Sequence, residues 1–407
     1  MDSHDSDPFD LLVIGSGPAG VHAAAAYVEA GGPGPVCLVS GDPDAPYERP
    51  PLSKDVLAGE TPAEGSPILD DDSVWGQIDR RLGVHVEALD TDRRRVRTSD
   101  GHELGYERLI VATGSRPKPL PGADPDARVR TLRSLDDARQ LVDAVKDSRS
   151  VVVVGSGFIG CEAAASLAGR GLRTTVITPE PAPQAARLGD WAGSQIATWL
   201  EAAGVQLRAE TMVDGVEPPA TVRLDDGSTV EADLVLAAVG VTQEQTFLIE
   251  SGLLVQDGHL AVDEQLRTSD PHVWAAGDVA QARHAVLGRA LSVEHWGDAM
   301  TMGQLAGRNA AADGPGGTGT PGQWSDPPGF WSVIGDHTLK YSAWGDGFEV
   351  AEVVEHGEGA FTVWYADGAG EVVGVLTHER DEDYDRGAEL LGRRASLAEA
   401  LAAGTSR

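Results

Sequence analysis

Phe9 to Ile14 is a largely apolar run that stops at Gly15-Ser16-Gly17-Pro18-Ala19-Gly20 and gives way to an alanine-rich stretch, Val21 to Ala30. This pattern predicts a strand, a glycine turn and a helix. A second apolar strand, Val36 to Val39, ends at Ser40, and Asp42 stands 22 residues after Gly20. The order then recurs with an offset of 140 residues: Ser150 to Val154, the turn Gly155-Ser156-Gly157-Phe158-Ile159-Gly160, a helix from Cys161, the strand Thr174 to Ile177, and Glu180. Two nucleotide-binding βαβ units are expected, each with an acidic residue about 20 positions beyond its turn.

Between the units, Leu82 to Leu109 alternates in short segments around Ser99-Asp100-Gly101, which predicts an antiparallel excursion. Apolar runs ending at glycine close each unit: Leu109 to Gly114 and Val273 to Gly277 for the first, Leu234 to Gly240 for the second. Gly314 to Gly322 has linker composition. Beyond it, Thr338 to Trp344, Phe348 to Val354, Phe361 to Tyr365 and Val372 to Thr377 predict strands, and Asp383 to Leu401 has helical spacing. The expected architecture is α/β, with two Rossmann-like three-layer dinucleotide-binding domains and a C-terminal α+β domain built on an antiparallel sheet. The first domain takes residues 8–116 and 241–322, the second 117–240 and the third 323–407.

Composition narrows the function. The 407 residues, 41% apolar, suffice for two or three domains. A net charge of −32 repels nucleic acid and anionic membranes. No apolar run reaches the ~20 residues of a membrane span, and Met1 to Asp10, with four Asp, lacks the pattern of a signal peptide. Two cysteines, Cys37 and Cys161, are too few for a disulfide framework or a thiolate metal cage. A soluble, cytoplasmic protein without a metal is expected.

Glycine makes up 50 of the 407 residues, well above the usual ~7%. In each turn the first glycine permits a tight bend, the second lets backbone N–H groups reach a pyrophosphate, and the third lets helix and strand pack closely. Gly15, Gly17 and Gly20 would serve one dinucleotide, Gly155, Gly157 and Gly160 the other. Asp42 and Glu180 are either turn residues or ribose ligands. Carboxylates suit ribose hydroxyls better than a 2′-phosphate, so the second site should take NADH in preference to NADPH. Thr178, however, occupies the strand end where many NAD-binding chains carry the acid.

The order of motifs resembles the FAD-dependent pyridine nucleotide oxidoreductases, in the branch of putidaredoxin-type ferredoxin reductases and apoptosis-inducing factor. The marks are Pro46-Tyr47-Glu48-Arg49-Pro50-Pro51-Leu52-Ser53-Lys54, Ala112-Thr113-Gly114, Gly157-Phe158-Ile159-Gly160-Cys161-Glu162, Ala275-Ala276-Gly277-Asp278 and Phe330-Trp331-Ser332. The resemblance implies FAD in the first unit and NAD(P)H in the second. It implies flavin contacts for Arg49, Lys54 and Arg133, a bond from Asp278 to the ribityl chain, and places for Val86, Gly240 and Gly277 in the cofactor-binding set. It further implies that Lys54 and Glu162 meet near flavin N5 and the nicotinamide and orient both rings for hydride transfer. Glu294, His295 and Trp296 precede a helical stretch, Gly297 to Ala312, whose positive end either packs on a neighbour or faces flavin N1 and O2. Trp331 is either a core aromatic or, by similarity, a cover for the isoalloxazine.

Relatives that use a CxxC or CxxxxC dithiol are excluded by the lack of a close cysteine pair, and Lys54 stands where single-cysteine relatives carry their thiol. Cys161, at a helix start, is either a packing residue or a thiol of lowered pKa. Electrons should leave directly from flavin. The expected enzyme is an NADH-dependent ferredoxin reductase, acting as a monomer or homodimer and passing single electrons to a [2Fe-2S] ferredoxin that serves an oxygenase. The alternatives are an NADH oxidase or quinone reductase, and a slow redox sensor resembling apoptosis-inducing factor. An acidic ferredoxin would need a local basic patch, for which Arg283, Arg289, Arg308, Arg393 and Arg394 are the candidates. The chain departs from the ferredoxin-reductase pattern after Ser332, where Val333-Ile334-Gly335-Asp336 replaces the frequent Asp-Gln.

Overall fold

The computed structural model describes residues 7–69, 72–243, 245–314 and 319–402. Residues 1–6 of the segment Met1 to Asp10, expected to lack a signal-peptide pattern, and 315–318 of the expected linker lie outside the described residues. The chain forms two compact units, one of residues 1–48, 66–115 and 242–330, the other of 49–65, 116–241 and 331–407.

The first unit is built on a sheet ordered Ile78–Leu82, Val36–Ser40, Phe9–Ile14, Glu103–Val111, Arg95–Thr98, Val86–Asp90. Phe9–Ile14 pairs in parallel with Val36–Ser40 and with the second half of Glu103–Val111. The first half of Glu103–Val111 turns back antiparallel onto Arg95–Thr98, giving the expected excursion. Val273–Ala275 adds a parallel strand beside Leu109, Ile110 and Val111. Leu11, Leu12 and Val13 are fully buried, as are Leu109, Ile110 and Val111. A central parallel strand covered on both faces reads as such a continuous apolar run.

The helix Pro18–Glu29 is apolar on most of its surface because it is buried on most of its surface, from Ala19 through Tyr27. It lies against the helix Trp296–Ala312. A side chain at Gly303 or Gly307 would run into the Ala19 or Ala23 carbonyl, so these two glycines allow the helices to meet backbone to backbone.

The second unit repeats the first motif. Its parallel sheet runs Gln206–Arg208, Arg173–Ile177, Ser150–Val154, Leu234–Ala237, Val129–Arg130. A three-stranded antiparallel sheet, Val213–Glu217, Thr221–Leu224 and Thr229–Glu231, supplies Val216, Val222 and Leu224 to a core shared with Val152, Val154, Ile177 and Val235. The helix Leu135–Lys146 starts with a capping box between Ser134 and Asp137.

The same unit contains a five-stranded sheet, in the order Gly329–Ile334, His337–Ala343, Val372–His378, Ala360–Ala366, Val350–Gly357, with antiparallel pairing among the last four. Tyr365 donates to the Leu188 carbonyl at 2.8 Å, and Trp199 of the helix Asp190–Ala202 stacks on His337 with ring centroids 4.5 Å apart. The single helical stretch expected from 383 to 401 is two helices, Asp381–Gly392 and Leu397–Ala402. The break falls where Arg394 takes a left-handed φ of 56°.

Candidate functional site

The two glycine turns have the same construction. Gly15 and Gly155 take positive φ, 115° and 103°, and a side chain on either would meet the Ala112 or Ala238 carbonyl. A side chain on Gly20 or Gly160 would run into the carbonyl of the first glycine of its own turn. The middle glycines differ: among the described residues, nothing lies within 4 Å of where a Cβ on Gly17 would sit, and beside Gly157 there is the Gln184 side-chain nitrogen alone, at 3.8 Å. Neither following helix has a side-chain cap, so their first N–H groups are left to an anion. Both turns thus leave open space above an uncapped helix start, which is the room and chemistry a pyrophosphate needs.

A hydroxyl pair joins each turn to the end of its second strand, Ser16 to Ser40 at 2.7 Å and Ser156 to Thr178 at 2.8 Å. The strand-end hydroxyls also accept from the backbone of the two acids, Ser40 from Asp42 N–H and Thr178 from Glu180 N–H. The Asp42 carboxylate accepts from Tyr47 Oη at 2.8 Å and from Asp44 N–H. The Glu180 carboxylate accepts from Ala186 N–H at 2.9 Å. These pairs escaped the sequence reading, although a serine in second place of both turns, with a hydroxyl at both strand ends, was a signal for them.

In the first unit, Asp278 is buried and accepts from Ser115 Oγ at 2.6 Å. Thr113 accepts from the Gln245 amide and Glu294 from the Gln243 amide, each at 2.7 Å. Ala112 is buried and Gly114 takes positive φ. A side chain on Gly277 would press on Ala19 and Ala299, so the turn after Val273–Ala275 is held close to two helix starts. His295 immediately precedes the helix Trp296–Ala312, and its Nδ1 lies 2.9 Å from the buried Asp298 carboxylate. Val86 begins the strand Val86–Asp90, half-buried.

In the second unit, one face of the helix Phe158–Gly169 and its C-cap Arg170 binds the segment 49–65. Residues four apart share a helix face. Accordingly Glu162 takes Ser53 and Lys54, Ser166 donates to the Ser53 carbonyl, and Arg170 donates to the Leu57 carbonyl. Arg49 donates to the Arg133 carbonyl at 3.0 Å, and Arg139 to the Ala63 carbonyl. This ladder explains why 49–65 belongs to the second unit. Gly240 takes φ 92° with open space around it, and Trp331 is 44% exposed.

Glu162 is the hub. Its Oε2 accepts from Ser53 Oγ at 2.6 Å and Lys54 Nζ at 2.7 Å; its Oε1 accepts from Ser332 Oγ at 2.6 Å and Val333 N–H at 3.2 Å. The residue is only 5% exposed. A carboxylate offers about four acceptor positions, and all are filled. A saturated, buried carboxylate of this kind holds its neighbours in place. Lys54 also donates to the Pro50 carbonyl at 3.1 Å, which uses two of its three N–H groups.

Both thiols are buried. Burial pushes the Cys37 thiol up to about 12 and raises that of the fully buried Cys161 further. Both are free, so there is no redox-active dithiol. Of the arginines considered for a basic patch, Arg283 pairs with Glu264, Arg393 with Glu389 and Glu399, and Arg394 with Glu371. Their charge is largely answered locally. Among the described residues, no helix is long and apolar enough to cross a membrane and no cluster is suited to a metal.

Twin glycine turns, each between a parallel strand and a helix, with an antiparallel C-terminal sheet, fit the class of two-dinucleotide oxidoreductases. Residues 9–303 match the model of the pyridine nucleotide-disulphide oxidoreductases, and the chain belongs to that family. It is 34% identical over 337 residues to a rubredoxin-NAD(+) reductase of Pseudomonas putida, covering 81% of this chain and 85% of that one. It is 29% identical over 399 residues to the ferredoxin–NAD(+) reductase component of an anthranilate 1,2-dioxygenase system of Burkholderia cepacia, covering 96% and 95%. Its fold matches the reductase in the covalent putidaredoxin reductase–putidaredoxin complex with a TM-score of 0.88, 27% identity and coverage of 99% and 100%. The cofactors are accordingly a flavin and NAD(H), and the open, uncapped glycine turns fit two such nucleotides.

Proposed function

We propose that the protein is an FAD-dependent NADH reductase that passes electrons singly to a small iron–sulfur carrier of the ferredoxin or rubredoxin kind. The observation that carries this reading is the combination of two alike nucleotide cradles with two cysteines that are both buried and unpaired. A chain whose two thiols are buried and unpaired offers no dithiol relay, which leaves a bound redox group to carry the electrons. The names of the relatives, which pair with ferredoxin, rubredoxin or putidaredoxin, support the choice of acceptor. When bound, the flavin supplies the exchange between a two-electron donor and a one-electron acceptor.

The chain's own residues bind and orient. Residues 8–116 and 241–322 would form the FAD domain, 117–240 the NAD domain and 323–407 an interface domain. Gly15, Gly17 and Gly20 would hold the FAD pyrophosphate and Asp42 a ribose, with Val86, Ala112, Thr113, Gly114 and Gly277 shaping the cleft. Asp278 would hold the ribityl chain. Glu294, His295 and Trp296, at the positive end of their helix, would stabilise negative charge on the ring system. Gly155, Gly157, Gly160, Glu180 and Gly240 would hold NADH, with the Glu180 carboxylate repelling a 2′-phosphate. Arg49, Arg133 and Trp331 complete the binding set, while Lys54 and Glu162 orient the reacting rings. Buried free thiols suit a reducing compartment, so we place the protein in the cytoplasm.

The test is anaerobic titration of the yellow protein with NADH and NADPH, followed by cytochrome c reduction coupled through ferredoxin or rubredoxin. Bleaching by NADH and carrier-dependent cytochrome reduction are expected. High peroxide yield with no dependence on either carrier would reject the acceptor in favour of an oxidase.

A further inference from the structure

Two of the four donors on Glu162 come from consecutive residues of one strand, Gly329–Ile334. Among the described residues that strand is the edge of its sheet, pairing with His337–Ala343 alone. An edge strand carries N–H groups that the sheet does not use, and the Val333 N–H is spent on Glu162 Oε1. Ser332, 1% exposed, points its hydroxyl at the same oxygen. We infer that Ser332 is a positioning residue: with Val333 N–H it fills Oε1, fixes the carboxylate, and leaves the third N–H of Lys54, which has no partner among the described residues, for the bound cofactor.

The inference rests on the assignment of Lys54 and Glu162 proposed above. Its physical content is a lever. Without the Ser332 hydroxyl, Oε1 keeps a single 3.2 Å bond from Val333, while Oε2 keeps its short bonds to Ser53 and Lys54. The carboxylate is then free to rotate about its side chain, and the ammonium bound to it shifts as well. The loss is felt at Lys54 Nζ, although Ser332 has no bond to Lys54.

The test compares S332A, S332T and K54M holoenzymes. S332A is expected to lower the limiting rate of flavin reduction at saturating NADH about tenfold, the loss of one charge-assisted hydrogen bond. Half-saturation by NADH should change by less than about twofold, because ground-state binding is untouched. The midpoint potential of the bound flavin should move in the same direction as in K54M, and S332T should restore both rate and potential. If Ser332 only seats the sheet, S332A lowers thermal stability but leaves limiting rate and potential at wild-type values, and the inference falls. If S332T behaves as S332A does, it falls too. Should S332A lose its flavin, S332C, which keeps the volume but donates weakly, is read by the same criteria. A K54M protein that keeps flavin and is reduced at the wild-type rate removes the underlying reading; a slow K54M beside a normal S332A removes only the role of Ser332.

Discussion

The Ser156 hydroxyl donates to that of Thr178 across 2.8 Å and joins the second glycine turn to the end of the strand Arg173–Ile177. Both residues are buried. Thr178→Val keeps the shape and leaves the Ser156 hydroxyl without its acceptor, at a cost of about 1 kcal/mol. Weaker NADH binding, by about fivefold, should appear in a fluorescence titration, with flavin content unchanged.

The glycines separate fold from binding. Gly160→Ala places a methyl group against the Gly155 carbonyl, so the variant should lose both thermal stability and NADH binding. Gly17→Ala meets no atom of the described residues within 4 Å, so it should fold normally and lose flavin on gel filtration. A Gly17→Ala protein that keeps its full colour would show that the pyrophosphate does not occupy that space.

Lys54→Met removes the one ammonium at the Glu162 hub and leaves that carboxylate buried with its two serines and Val333. Flavin should remain bound and reduction by NADH should slow by about tenfold or more, measured by stopped flow. An unchanged rate removes Lys54 from the reaction.

Asp278→Ala deletes the buried partner of Ser115. Its effect should fall on flavin retention, read as the ratio of flavin to protein absorbance after dialysis, and NADH binding should be retained.

His337 gives a pH dependence. Burial lowers its pKa, and the neighbouring His378 lowers it further, against the opposing pull of Asp336 and Glu379. A base whose folded pKa lies below its unfolded one resists protonation in the fold. Its contribution is therefore intact above the unfolded value of ~6.5 and is lost as pH falls below it. Melting temperature should drop on acidification from neutral pH, and His337→Phe, which retains an aromatic ring against Trp199, should flatten that drop.

What the sequence disclosed, and what it hid, follows from the range of each interaction. The glycine turns were legible because backbone bends and close contacts demand glycine at fixed spacing, and the strands closing each turn were legible as apolar runs. The saturation of Glu162 was not, since its partners lie 109 positions before it and 170 after it. No local periodicity records such a meeting. The ladder of Glu162, Ser166 and Arg170 had helical spacing, but nothing in the sequence named the segment it binds. The break between the last two helices was hidden for the opposite reason: helical spacing continues through Arg394, and only its left-handed backbone interrupts it.

The seclusion of Cys37 and Cys161 has a consequence for durability. A catalyst that releases electrons one at a time loses some to dioxygen, and the peroxide so formed attacks thiolates. Here neither sulfur ionises readily or meets solvent. Prolonged aerobic turnover should therefore spare both side chains, and a culprit for any slow inactivation has to be sought among other residues.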